Sequence, residues 1–146
     1  MRILLITLLL MISTVTSAKN IIYPGPLEIA EIVRIYDADT VYVRLPDSSG
    51  LPIFSQNIGI RINGIDTPEL RTRCKAEKVL GYKAKYAFVE ILSKAKKIEI
   101  KNYFRGKYFR IVADVFVDGV NVKDLLIKTG LAKPYDGGTK TPWCPK

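Results

Sequence analysis

Apolar and polar residues alternate strictly along Thr40–Leu45 (Thr-Val-Tyr-Val-Arg-Leu), the period-two pattern of a half-buried strand. The β-branched run Glu28–Tyr36 predicts a strand before it, after a leader marked by Tyr23-Pro24-Gly25-Pro26. Asp37-Ala38-Asp39 lies between the two strands as a tight polar turn. Pro, Ser and Gly breakers make Pro46–Asn57 a loop, and Ile58–Ile65 reads as a third strand. The period then changes. Ala76, Leu80, Ala84, Ala87, Phe88 and Ile91 recur at three- and four-residue spacing, which predicts a helix from about Lys75 to Lys94. Ile98–Lys101 and Arg110–Val117 supply two further strands, and Asp118-Gly119 turns the chain. A short helix follows over Val122–Thr129, with Asn121 as its cap and Gly130 as its stop. The tail from Pro134 to Lys146 is turn-rich and reads as irregular.

The predicted order is therefore β-β-β-α-β-β-α, a mainly β chain of α+β class. Five strands with a helix between the third and fourth point to a five-stranded Greek-key barrel of the OB type with two to three helices. A mixed α+β sandwich is the alternative that the pattern leaves open.

The first eighteen residues read differently from the rest. Arg2 precedes an apolar run, Ile3–Ile12, interrupted only by Thr7, and Thr16-Ser17-Ala18 offers small residues for cleavage. That is the build of a signal peptide, and the run is shorter than the roughly 20 apolar residues of a membrane span. An uncleaved N-terminal anchor is the other reading. The expectation is a signal peptide over residues 1–18 and one domain over 19–146, exported to the periplasm or the medium without stable membrane association. An oxidising compartment would allow Cys74 and Cys144, 70 positions apart, to form one disulfide; two free thiols are the alternative.

Charge and composition then narrow the chemistry. The 146 residues carry 23 Lys+Arg against 14 Asp+Glu, a formal charge of +9, which becomes +8 once Arg2 is removed with the leader. A hydrophobic fraction of 48% belongs to a globular chain able to bury one core. The positive excess points to an anionic partner such as nucleic acid or an anionic membrane surface. There is no histidine. This excludes Ser-His-Asp and Cys-His engines, His-ligated zinc and imidazole acid–base catalysis, leaving carboxylates, Lys, Tyr, Cys or water to move protons.

Four places hold charged groups that apolar packing does not explain. Asp37-Ala38-Asp39-Thr40 serves well as a hairpin turn, and it lacks the Gly and distal Glu of an EF-hand loop. Asp66-Thr67-Pro68-Glu69 has the spacing of a helix cap, with Thr67 as N-cap and Pro68 at the first helical position, or Asp66 and Glu69 as a capping box. Two carboxylates within four residues at a strand end are also what a hard cation and a water-activating base require. Arg61 and Arg110 lie on predicted strands. Strand arginines usually face solvent, yet their forks match phosphate oxygens and keep their charge at any relevant pH.

Taken together, Asp37-Ala38-Asp39-Thr40, Arg61-Ile62-Asn63-Gly64-Ile65-Asp66-Thr67-Pro68-Glu69 and Lys107-Tyr108-Phe109-Arg110 resemble the three motif blocks of the staphylococcal nuclease (thermonuclease) family, in order and in spacing. The resemblance runs from about Ile29 to Trp143 and also takes in Ala113–Gly119, Tyr135-Asp136-Gly137-Gly138 and Trp143-Cys144, as in secreted bacterial members. It implies Ca2+ held by Asp39, Asp66 and the Thr67 carbonyl, with Glu69 as general base and Arg61 and Arg110 gripping the scissile phosphate. Lys107 and Tyr108 fall where the family contacts a terminal nucleotide phosphate, and Tyr135 where a base would stack. The implied protein is a monomeric hydrolase, a calcium-dependent endonuclease of the thermonuclease type that cleaves DNA and RNA, single-stranded or fraying, to leave 3′-phosphate ends. A non-catalytic OB-type nucleic-acid-binding module is the alternative. Ala38 and Phe109 stand where the family often has Gly, so a positive φ at Phe109 would bear directly on the position of Arg110.

Overall fold

A computed structural model describes residues 21–46 and 57–144. Residues 1–18, expected to be a signal peptide, and most of the loop Pro46–Asn57 lie outside the described residues. Among the described residues, nine strands and two helices follow in chain order. They are β1 Leu27–Glu28, β2 Glu31–Ile35, β3 Thr40–Arg44, β4 Ile58–Ile62, β5 Ile65–Asp66, α1 Lys75–Lys94, β6 Ile98–Arg105, β7 Ile111–Val117, β8 Val120–Asn121, α2 Val122–Lys128 and β9 Lys133–Pro134.

The main sheet runs β1-β6-β7-β4-β3-β2, with β8 paired to β7. All its pairings are antiparallel except β4 with β7. Its two end strands are consecutive in the chain, and the link between them bridges both edges. Ile29 donates its N–H to Ile98 O at 2.9 Å and Ala30 donates to Arg44 O at 3.0 Å. The sheet is thereby curled back on itself, in the OB-type α+β arrangement. The single predicted strand Glu28–Tyr36 is in fact two, broken at Ile29–Ala30 where the chain changes edge. The predicted strand Ile58–Ile65 is likewise broken at Asn63-Gly64, where Gly64 adopts φ +78°.

The core is built from the faces that the periodicities mark. β7 buries Ile111, Ala113, Val115 and Val117 alternately, and β3 buries Val41 and Val43. Helix α1 closes the barrel with Gly81, Ala84, Phe88 and Leu92. Ala76, assigned by spacing to that apolar face, is exposed instead. α2 begins as expected, Asn121 accepting from the Lys123 N–H at 2.9 Å, and ends at Gly130 with φ +73°. No described helix is long and apolar enough to cross a membrane.

Candidate active site

Strand register brings the scattered charges to one end of the barrel. Thr40 of β3 lies opposite Arg61 of β4, so Asp39, one residue earlier, reaches the Arg61 guanidinium and forms an ion pair. Arg61 also donates through Nη2 to Ile65 O at 3.2 Å, which pins the fork across the turn it precedes. Parallel pairing sets Ile60 of β4 beside Ile111 of β7, so Arg110 enters at the same end as Arg61. Arg61, Asp66, Lys107, Arg110, Lys133 and Tyr135 line one cleft of about 950 Å³. Five of these six are among the charged or aromatic candidates of the sequence motifs; Lys133 is new.

The turn that delivers Arg110 is strained as the residue types forewarn. Tyr108 and Phe109 have φ of 58° and 56°, two consecutive left-handed residues without the freedom of glycine. Arg110 is nevertheless delivered to the cleft. Gly106 donates to Arg110 O at 2.7 Å, and the Arg110 side chain lies against Gly59, where a Cβ would come within 3.2 Å of Arg110 Cγ. Tyr108 stays at the rim, 84% exposed, with the Arg110 guanidinium 5.8 Å from its ring.

The carboxylates are held tightly. Asp39 is buried; its Oδ1 accepts from Thr40 Oγ1 at 2.8 Å and its Oδ2 from Thr67 Oγ1 at 3.0 Å. Burial alone would lift the Asp39 pKa, but the charge and hydrogen bond of Arg61 outweigh it and hold the carboxyl below its ordinary value. Asp37 goes the other way. Burial, then the adjacent Asp39 charge, push it up to about 7. Asp66 and Thr67 are buried at the end of β5, and no helix starts there. The capping reading of Asp66–Glu69 therefore fails: α1 begins at Lys75, after Cys74, nine residues past Asp66.

That segment is instead held from the helix side. Glu77, in the first turn of α1, accepts from the Glu69 N–H at 3.2 Å and from Thr72 Oγ1 at 2.9 Å. Gly81 lets α1 approach, since a Cβ there would stand 3.0 Å from Pro68 O and 3.2 Å from Glu69 O. A helix interior favours Ala over Gly by about 1 kcal/mol, so the close approach accounts for this glycine. Gly81→Ala is expected to lower the unfolding free energy by about 1–3 kcal/mol despite that propensity gain. Denaturant melts check it, and an unchanged or raised midpoint would show that the backbone contact does not constrain the segment.

Sequence reasoning missed the contribution of the tail. β9 pairs with β5 so that Lys133 lies opposite Asp66, and the chain then passes over the site. Trp143 Nε1 donates to Asp66 Oδ2 at 2.8 Å, and Lys133 Nζ sits 4.1 Å from the centre of the Trp143 ring. Lys140 Nζ lies 2.7 Å from Asp66 Oδ1 and 3.3 Å from Glu69 Oε1, and Asp66 holds this ammonium above the usual lysine range. The Cys74 and Cys144 sulfurs are joined, with Cα atoms 6.0 Å apart, so the end of the tail is fastened to the start of α1. Beyond Pro134 the described residues of the tail hold no helix or strand, as the turn-rich sequence predicts, but these contacts fix the tail against the site.

The donor set suits a hard cation. Asp66 Oδ1 is buried without a directed hydrogen bond, although the Lys140 ammonium stands beside it at ion-pair distance. A buried carboxylate oxygen whose one close partner is an ammonium on the exposed tail can take a hard cation if that ammonium gives way. Among the described residues no three His, Cys, Asp or Glu side chains gather into a cage, so backbone oxygen and water would complete any coordination shell.

Comparison with known proteins decides the family. The family model described as staphylococcal nuclease homologue matches residues 59–142. The chain belongs to the staphylococcal nuclease homologue family. The matched stretch contains Arg61, Asp66, Thr67, Glu69 and Arg110, while Asp39 lies before it. A relative from Oryza sativa subsp. japonica, the probable staphylococcal-like nuclease CAN1, is 30% identical over 105 residues, covering 72% of this chain. The match takes in only 30% of that rice protein's length.

Proposed function

We propose that this member of the staphylococcal nuclease homologue family is an exported, monomeric, calcium-dependent endonuclease that hydrolyses DNA and RNA, single-stranded or fraying, to leave 3′-phosphate ends. The observation that carries the reading is that Arg61, Asp66 and Arg110 line one basic cleft, with Asp39 ion-paired to Arg61 behind it and Glu69 bound to the same Lys140 ammonium as Asp66. Export rests on residues 1–18 acting as a cleaved signal peptide.

Asp39, Asp66 and the Thr67 carbonyl are the residues that would hold Ca2+, and the bound ion would supply charge stabilisation at the phosphoryl group. Arg61 spends two donors on Asp39 and Ile65 O, and a guanidinium has five, so others remain for a phosphate oxygen. Arg110 is free of any carboxylate partner among the described residues and presents its fork to the same cleft. Together they neutralise the charge that grows on the phosphate oxygens as the attacking bond forms. Glu69 accepts a proton from the attacking water as its oxygen bonds to phosphorus, while the bond to the 5′ oxygen breaks and that oxygen leaves with the electron pair and takes a proton from solvent. Lys140 is half-exposed and must withdraw from Glu69 for that transfer. Lys107 in the cleft and Tyr108 at its rim would hold a terminal nucleotide phosphate, and Tyr135 offers a ring for base stacking. No residue in this set reads base edges, in keeping with action on either sugar and any sequence.

The test is end-group analysis of denatured DNA and of RNA incubated with the mature protein, with calcium and with EGTA. Cleavage to 3′-phosphate ends with calcium, abolished by EGTA, is the expected result. Undiminished cleavage in EGTA would sink the calcium mechanism. A salt-sensitive gel shift without product would select the alternative, a non-catalytic nucleic-acid-binding module.

A further inference from the structure

A second cleft, of about 400 Å³, shares Glu69 with the mechanism above, but its cations and tyrosines have no part in it. Arg34 of β2, Tyr36, Arg71, and Lys78, Tyr82 and Lys85 of α1 line it. Its inner wall is formed by Asp37 and Glu69. Asp66 lines the first cleft and Glu69 the second, and one ammonium, Lys140, lies within 2.7 Å of the one and 3.3 Å of the other. The two clefts therefore meet at the proposed reaction centre.

The chemistry of the second cleft is that of a strand-binding groove. Among the described residues Arg44, Arg61, Lys94, Lys97 and Lys140 all have carboxylate partners, whereas none of Arg34, Arg71, Lys78 and Lys85 does. Four unpaired cations in one concavity attract an external polyanion. Tyrosine rings stand among them. The Arg34 guanidinium is 4.6 Å from the Tyr42 ring centre and 5.6 Å from that of Tyr36, and Arg71 is 5.8 Å from Tyr36. Stacking on rings orients the guanidinium planes, and the exposed Tyr36 and Tyr82 leave π-faces for bases.

We propose that this cleft binds single-stranded nucleic acid on the far side of the cleaved phosphate, so that one strand runs through both clefts across the carboxylates. The inference rests on the nuclease reading above. It makes the protein a long-strand binder in which Arg71, Lys78 and Lys85 engage phosphates and Tyr36 and Tyr82 stack bases.

The experiment measures binding of the full mature protein, disulfide intact and in EGTA to hold off cleavage, to labelled oligothymidylates of two and eight nucleotides across a salt series. For Arg71→Gln/Lys85→Gln, affinity for the eight-mer should fall about ten-fold, and the slope of log affinity against log salt should shrink by about 1.4, as for two lost single-strand phosphate contacts. Affinity for the two-mer should stay within about two-fold. Tyr82→Ala should weaken eight-mer binding about five- to ten-fold, within the range of a lost stacked base, with little change in the salt slope. A charge-matched Lys94→Gln/Lys128→Gln control, outside both clefts, should alter neither. An unchanged eight-mer slope, an equal loss for both lengths, or an equal loss in the control would overturn the proposal. If Lys107→Gln alone weakens binding, the nuclease reading stands and the second groove falls; if the wild type binds neither oligonucleotide, both fall. Preference for an acidic peptide or an anionic vesicle over the eight-mer would overturn it as well.

Discussion

Glu69→Gln should lower the turnover of denatured DNA by about 10²–10⁴-fold, the usual share of a positioned general base, while leaving the protein folded. The amide keeps the size and polarity of the carboxylate but cannot take a proton from water. Structure gives the substitution little other effect. The Glu69 side chain is 57% exposed and its one ion-pair partner is Lys140 at 3.3 Å, a surface contact worth under about 1 kcal/mol. The backbone position is set independently, by the Glu77 carboxylate on the Glu69 N–H and by the approach of α1 at Gly81. Parallel measurements of kcat and of the urea midpoint check this. Turnover within ten-fold of wild type would remove Glu69 from the proposed role, and loss of activity with a collapsed midpoint would show a structural role in its place.

Cys144→Ser should cost about 4 kcal/mol of unfolding free energy, the chain-entropy value for a bridge closing a loop of 70 residues. The bridge also carries the end of the tail, so the loss is not confined to the unfolded chain. Freed at Cys144, Trp143 and Lys140 lose their fixed approach to Asp66. Trp143 is the lone tryptophan, and its fluorescence reports that detachment directly. Denaturant unfolding of Cys144→Ser and of Cys74→Ser/Cys144→Ser, followed by that fluorescence, is the check. The two variants should agree within a few tenths of a kcal/mol, because both remove the same cross-link. Midpoints equal to that of the oxidised wild type would show that the bridge contributes nothing.

Local periodicity and turn chemistry made several elements legible. The helix α1 has the bounds that three- and four-residue spacing gives, and Asn121 and Gly130 bracket α2 as their side-chain and backbone preferences require. β3 and β7 follow their period-two alternation. In each case the deciding interactions lie within a few residues. Of the residues in the motif blocks and the tail, Arg61, Asp66, Lys107, Arg110 and Tyr135 line one cleft.

What failed was local reasoning where closure of the barrel decides. Glu28–Tyr36 is rich in β-branched residues and reads as one strand, yet it splits at Ile29–Ala30, because those two N–H groups bond to opposite edges of the curled sheet. Asp66–Glu69 has good capping chemistry, but pairing of β5 with β9 and the Gly81 contact hold it as an extended wall of the site. Lys140 and Trp143 are unremarkable in a turn-rich tail; only β9 and the bridge to Cys74 bring them onto Asp66. Helical spacing puts Lys78, Tyr82 and Lys85 of the second cleft on one face of α1, but only the fold brings that face to Arg34, Tyr36 and Arg71. By itself the sequence determined the class of fold, the helix and strand types, the excess of cations and a site without histidine, because these follow from composition and neighbours a few positions apart. The tertiary structure alone decided which carboxylates share a wall, which cations remain unpaired and where the tail lies, because those depend on contacts between distant residues that no local period encodes.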